Sequence, residues 1–312
     1  MKKRLKRLIK LGIYAAVTMC LINKWIEKSA LARHLLKSSK EDYFEWSHGS
    51  VYYKKTGSGS PILLIHDLDP SSSSVEWNGM IDKLSELHTV YTIDLPGCGR
   101  SDKGKMTYVS YLYIQLLNEF TQKVIGEKTE VCATGSSGSF VLKAAQLNKD
   151  MFGRITLISP KAPDDAGETV DPVSDLTRIV LDIPVLGTFI YNIKTCRRNI
   201  YTEFAEKYYY NPFKFSNKLV DTYYEAAHRG SARGRHLLAS IYGKYLSVDI
   251  KEAVSDPDLE ICLIFGAESP DSEWTAEEYR ELDPSLTCHF VPKTKVLPQL
   301  EAPDRILYLL EK

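Results

Sequence analysis

Histidine is scarce in this chain, seven among 312 residues, and none follows His289. Cysteine is scarcer, six in all, without a CxxC pair or a Cys/His cluster at ligand spacing. That spacing excludes a metal site of the zinc-ribbon kind and a disulfide framework. Cys132 and Cys262 fall in apolar runs, where a thiol acts as a small buried hydrophobe. No fixed repeat, heptad or Gly-X-Y period runs through the chain, which excludes solenoids, coiled coils and collagen. A surplus of either charge is missing too, with 40 bases against 40 acids. Nothing calls for a cofactor.

The neutral total hides an asymmetry. Residues 1–40 hold eleven Lys and Arg against Glu27 alone, a net of +10, which leaves −10 on the remainder. An acidic body is a poor partner for nucleic acid, whereas a basic head suits an anionic membrane surface. Between Leu11 and Asn23 there is no charge at all. That run is shorter than the ~20 residues a spanning helix needs. Snorkelling of Lys10 and Lys24 extends it to about residues 8–26, with Trp25 as an interfacial aromatic. The expectation is a single-pass signal anchor in the cell membrane, with the basic N-terminus inside and the large domain extracytoplasmic. A cleaved signal peptide would need a small-x-small site, and Ser29-Ala30-Leu31-Ala32 is the nearest approach. A helix lying flat on the membrane is the third reading.

From residue 43 onward, short apolar runs alternate with helical periodicity. Phe44–Tyr53, Pro61–His66, Thr89–Asp94, Glu130–Thr134, Ile155–Ile158, Ile261–Phe265 and Thr287–Val291 read as strands. Between them, Glu76–Leu87, Tyr108–Val124, Ser137–Leu147, Thr275–Glu281 and Asp304–Leu310 read as helices. Such alternation predicts an α/β fold with a mostly parallel sheet and helices on both faces. Residues ~161–255 break the rhythm and are aromatic and helical, as an inserted lid would be. The expected division is a membrane segment and linker over 1–42 and one domain over 43–312.

The run Thr92-Ile93-Asp94-Leu95-Pro96-Gly97-Cys98-Gly99-Arg100-Ser101-Asp102 resembles the loop after the fourth strand in the α/β-hydrolase superfamily. The likeness is to the branch of epoxide hydrolases, haloalkane dehalogenases and C–C hydrolases. Ile65-His66, Trp77, Ile158-Ser159-Pro160, Phe265-Gly266 and Leu300-Glu301-Ala302-Pro303 extend it over nearly all of residues 50–310. The resemblance implies an eight-stranded sheet, a helical lid inserted between strands six and seven, a pocket beneath it, and a nucleophile–acid–histidine triad.

Each implied triad position can be read off. The nucleophile's turn after the fifth strand is Thr134-Gly135-Ser136-Ser137-Gly138-Ser139-Phe140. One alignment puts Gly135 at the nucleophile, with Ala133, Ser137 and Gly138 at the small positions. Two others make Ser137 or Ser136 the nucleophile, at the cost of Phe140 or Thr134 in a tight place. A glycine at the nucleophile would relieve the positive φ of that turn. The acid position falls on Ser269, with Asp164 and Asp165 an alternative source, and the histidine position falls on Val296. A valine cannot accept a proton from a hydroxyl. The family's His-Gly after the third strand is His66-Asp67 here. The implied oxyanion donors are the N–H groups of Leu68 and Ser136, and a carboxylate at Asp67 would oppose the charge they stabilise.

Two functions follow. One is a non-catalytic homologue that binds a small apolar ligand or a protein partner through a lidded pocket. The other is an active serine hydrolase on an ester or lipid-like substrate, using Ser136 or Ser137 with His228 or His236 recruited from the lid. His66, His88 and His289 read as structural, Ser71–Ser74 as a flexible loop, and Tyr208–Tyr210 as packing in the lid.

Overall fold

The computed structural model describes residues 2–37 and 41–311, so Lys40 and the linker residues beside it lie outside the described residues. The chain opens with one long helix, α1 (Lys2–Leu31). Its stretch Ile9–Leu31 is long and apolar enough to cross a membrane. Sheet and helices then alternate: β1 (Asp42–Trp46), β2 (Gly49–Thr56), β3 (Ser60–Ile65), α2 (Asn78–Leu84), β4 (His88–Ile93), α3 (Ser110–Phe120), β5 (Thr129–Thr134), α4 (Ser137–Leu147) and β6 (Phe152–Ile158). A helical insertion follows: α5 (Pro163–Ala166), α6 (Pro172–Asp182), α7 (Leu186–Lys194), α8 (Arg197–Glu203), α9 (Asn217–His228), α10 (Arg235–Tyr242) and α11 (Lys251–Val254). The chain ends with β7 (Ile261–Gly266), α12 (Ser272–Leu282), β8 (Thr287–Val291), α13 (Pro298–Glu301) and α14 (Pro303–Leu310).

Among the described residues the strands form one sheet in the order β1-β2-β4-β3-β5-β6-β7-β8. The β1–β2 and β2–β4 pairs are antiparallel and the others parallel. The expected single strand Phe44–Tyr53 is instead a hairpin turning at Ser47-His48. β3 shows why the apolar run is continuous: Leu63 and Ile65 face one core, Ile62 and Leu64 the other. α3 and α4 cover the first face; α2 and α14 cover the second. Because the chain reverses direction across the sheet between β3 and β5, a crevice opens at their C-terminal ends. The loops after these strands carry Asp67 and Gly135.

The loop after β4 is clamped around a buried carboxylate. Asp94 accepts the N–H groups of Ser74 and Arg100 at 2.8 Å and the Arg100 guanidinium at 2.7 and 3.0 Å. Ser71–Ser74 are all buried, so the expected flexible loop is a fixed one, held by Asp69 and Asp94. The backbone N–H groups of Ser71 and Ser74 are taken up by the Asp69 and Asp94 carboxylates, which a run of four small polar residues does not reveal.

Candidate functional site

The turn from β5 into α4 places Gly135 at φ +55°, in the left-handed region. Its amide still completes the sheet, donating to Ile158 at 3.0 Å. Two residues into α4, a Cβ on Gly138 would press on the Leu157 side chain of β6, so helix and strand are tightly packed there. Ser137 is fully buried and donates to the His66 carbonyl at 2.7 Å, turned into the sheet. Ser136 alone of the two lines the crevice. Phe140 stacks on Tyr113 with ring centroids 5.1 Å apart, well inside the core.

The Asp67 carboxylate occupies the ground in front of this turn. Its Oδ1 accepts the N–H of Leu68 and the N–H of Ser136, each at 2.8 Å. These are the two donors that the resemblance assigns to a developing oxyanion. They survive, and this chain's own anion fills them. The same carboxylate explains the glycine: a Cβ on Gly135 would lie far inside contact distance of all three atoms of the Asp67 carboxyl group. Burial lifts the Asp67 carboxyl above the ordinary carboxylate range, and the two N–H bonds pull it back only in part.

A second acid lies behind it. Glu76 is buried, accepts the Tyr223 hydroxyl at 3.0 Å and the Thr134 hydroxyl at 3.2 Å, and ties α9 to the core. Burial first, then the Asp67 charge, push its carboxyl up to about 8. A folded value above the unfolded one stabilises below about pH 4.5, and that stabilisation drains away as pH rises toward 8. Glu76→Gln is therefore expected to flatten the decline of urea-unfolding stability between pH 5 and 9. The wild-type loss over that range is on the order of 4 kcal/mol. Parallel pH curves for the two proteins would contradict it.

The crevice holds about 350 Å³ and brings Gly135, Ser269 and Val296 together, beside Ser136 and Trp274. Lys161 and Lys207 share its wall. A smaller cavity of about 90 Å³ lies on the other side of Ser136, under α10. The other candidates are elsewhere. The Asp164 carboxylate is exposed on α5 and pairs with Lys251 at 2.7 Å, while its neighbour Asp165 reaches the crevice. His228 is buried with Nδ1 on the Tyr224 carbonyl, and burial lowers its pKa to about 4. His236 bonds Asp182 at 2.7 Å. Among the described residues no hydrogen bond joins either ring to Ser136 or Ser137. His228 turns its Nδ1 to Tyr224 of the same helix, α9, and His236 of α10 is held by Asp182 of α6. His66 is fully buried, with Nε2 accepting the Leu95 N–H at 3.0 Å and Nδ1 meeting the Asp67 carbonyl at 2.7 Å. That pairing fixes a neutral imidazole, consistent with burial lowering its pKa. No group of His, Cys, Asp and Glu among the described residues could hold a metal.

Sequence reasoning saw Asp67 as a neighbour of the donors and missed that it is their occupant. It passed over Glu76 altogether. The available signal was an acid beside Trp77 at the head of an apolar helix face, where solvation is denied.

Comparison with known proteins agrees with this frame. A sequence profile described as the alpha/beta hydrolase family matches residues 62–307. Uncharacterized proteins of Mycobacterium tuberculosis and Mycobacterium bovis are 29% identical over 107 residues, 34% of this chain and 31% of theirs. The chain thus spans about a third of the length of those curated relatives. Crystal structures with a similar fold include the CarC serine hydrolase involved in carbazole degradation, with TM-score 0.70 and 16% identity over 87% of this chain and 97% of that one. The epoxide hydrolase CorEH follows at 0.68 and 17%, covering 87% and 96%. A membrane phospholipase A, described as a bacterial virulence factor, also scores 0.68 at 17% identity, covering 100% and 97%.

Proposed function

This chain belongs to the alpha/beta hydrolase family, and we propose that within it the chain is a membrane-tethered binding protein without hydrolytic chemistry. One observation carries the reading: the Asp67 carboxylate bonds both N–H groups that would hold a reaction's negative charge. Acyl transfer needs that place empty, because the anion forming in the transition state is stabilised by those donors. A resident anion there both blocks and repels it. The absence of a general base agrees, since Val296 stands where the resemblance puts the histidine and Ser269 where it puts the acid. Gly135 at the turn removes the nucleophile. Three losses gathered in one crevice, with the scaffold around them whole, argue for a change of use.

The use we assign is capture of a small amphiphilic ligand in the crevice. Trp274, Phe265 and Val296 offer apolar contact, and Lys161 and Lys207 offer charge to an acidic group on a wall that also carries Asp165 and Asp271. The insertion helices serve as its lid. α1 tethers the protein to the cell membrane, with the basic N-terminus inside and the domain outside. The full-length likeness to a membrane phospholipase A supports the tether.

The test is turnover of p-nitrophenyl acetate and butyrate by the purified full chain. The expected rate equals that of the Ser136→Ala protein and of buffer. A rate above buffer that Ser136→Ala abolishes would restore the serine-hydrolase reading. Ligand capture is tested by thermal shift with C8–C12 fatty acids; stabilisation that Trp274→Ala removes is expected, and no shift for any acid would refute this ligand class.

A further inference from the structure

The helical insertion carries an apolar surface that the fold leaves uncovered. On α6, α7 and the turn between them, Val173, Leu176, Ile179, Ile183, Leu186 and Ile193 are all exposed, Val173 by 74% and Leu176 by 60%. On α6 the spacing is three residues, so Val173, Leu176 and Ile179 form one stripe along the helix, and Ile183 follows just past its end. The inner side of α6 packs on α10 and contributes Leu181 to a separate small core with Tyr191 and Leu238. Charges beside the stripe are mutually neutralised: Arg178 pairs with Asp175 at 3.0 Å and with Asp182 at 3.4 Å. Exposed apolar stripes of this length on a soluble face mark a docking site.

The position of α1 says what covers it. From Ile9 to Ile22 that helix touches little of the protein, and its apolar side chains are exposed. From Asn23 onward it is fastened to the insertion. Asn192 of α7 donates to the Asn23 side chain at 2.8 Å, and Ser231 donates to Glu27 at 2.7 Å. Arg33 pairs with Asp221 of α9, and the Leu35 and Leu36 N–H groups bond the Glu225 carboxylate at 2.6 and 3.1 Å. The free stretch Ile9–Ile22 is therefore only about 21 Å long at 1.5 Å per residue. A bilayer's hydrocarbon core is about 30 Å thick. The missing ~9 Å corresponds to roughly six further residues, the stretch of α1 that lies against α7. At that depth the insertion itself must meet lipid, and α6 packs directly on α7. Trp25, 70% exposed on this segment, is the residue type that sits at a bilayer interface.

We propose that the outer face of α6 and α7 is a membrane-docking surface, lying in the headgroup–acyl boundary of the bilayer that α1 crosses. The proposal rests on the tethered reading above and extends it: the body is pressed against the membrane by its insertion rather than hung from a free stalk.

Nitroxide accessibility in the full chain tests this. In a Cys20→Ser/Cys196→Ser/Cys288→Ser background, which leaves only buried cysteines, single labels are placed through Ile13→Cys, Leu176→Cys and Leu87→Cys, and the protein is reconstituted in phosphatidylcholine/phosphatidylglycerol vesicles. Leu87 is exposed at the opposite end of the sheet. The Ile13 and Leu176 labels should collide with oxygen in preference to a water-soluble nickel chelate, with a ratio several-fold above that of the Leu87 label. A Leu176 ratio equal to that of Leu87, with Ile13 still in lipid, overturns the docking surface and leaves the anchor standing. A water-exposed Ile13 label overturns the anchor and the docking surface together.

Discussion

Gly135→Ala will destabilise the protein by roughly 2–5 kcal/mol, and in an Asp67→Gly background much of that loss will disappear. Two costs add in the single variant. An alanine at φ +55° is strained by about 1–2 kcal/mol. Its Cβ also lands on the Asp67 carboxyl, which is held by two backbone bonds and cannot swing away without losing them. Overpacking of that kind typically costs about 1–3 kcal/mol. In the Asp67→Gly background only the backbone strain remains, so the loss should fall to about 1–2 kcal/mol. The coupling between the sites is then on the order of 2 kcal/mol, far above the few tenths expected of independent positions. Urea unfolding of the four proteins of the cycle measures it. Additive effects would mean that Asp67 does not occupy the space in front of the turn.

The second large effect lies in the clamp after β4. Asp94→Asn keeps the shape of the side chain but strips the charge facing the Arg100 guanidinium, itself nearly buried over the Tyr52 ring at 3.8 Å. Leaving one member of a buried pair uncompensated costs about 3–5 kcal/mol, and thermal unfolding should fall by roughly 6–15 °C. The pH dependence follows from the same geometry. Burial alone would raise the Asp94 carboxyl, but the Arg100 charge and its hydrogen bonds overcome this and hold it at about 2. A depressed folded value stabilises above the ordinary carboxylate range, and that stability is lost as pH falls from about 4 through 2. The wild type should therefore lose stability over that window more steeply than Asp94→Asn, by roughly 2–3 kcal/mol. Equal acid sensitivity of the two would refute the clamp.

The fold was legible because its signals are local and periodic. ILLIH reads as a doubly buried strand wherever it is placed, and the loop Asp94–Asp102 matches along its length. The hairpin at Ser47-His48 was not legible, since both of its strands are rich in aromatics and no Asn-Gly or Gly-Gly marks the turn. The site was half legible. Gly135, Ser269 and Val296 could be placed by alignment with the strands around them, and the structure gathers them in one crevice. The use of Asp67 could not be read, because it depends on which way one carboxylate turns, and composition and spacing carry no such information. Likewise, His228 and His236 looked available for recruitment only because sequence cannot show that Tyr224 and Asp182 had engaged them. The insertion illustrates the converse. Its apolar stripe on α6 has clear helical period, but only tertiary structure reveals that the stripe faces outward.

A crevice without hydrolytic chemistry holds no serine that acts as a nucleophile. The direct measurement is intact-mass spectrometry of the full chain after incubation with a fluorophosphonate, beside a variant carrying Asp67→Gly, Gly135→Ser, Ser269→Asp and Val296→His. The expected result is an unmodified wild-type mass, with any adduct confined to the variant's residue 135. A stoichiometric adduct on Ser136 or Ser137 of the wild type would contradict the account.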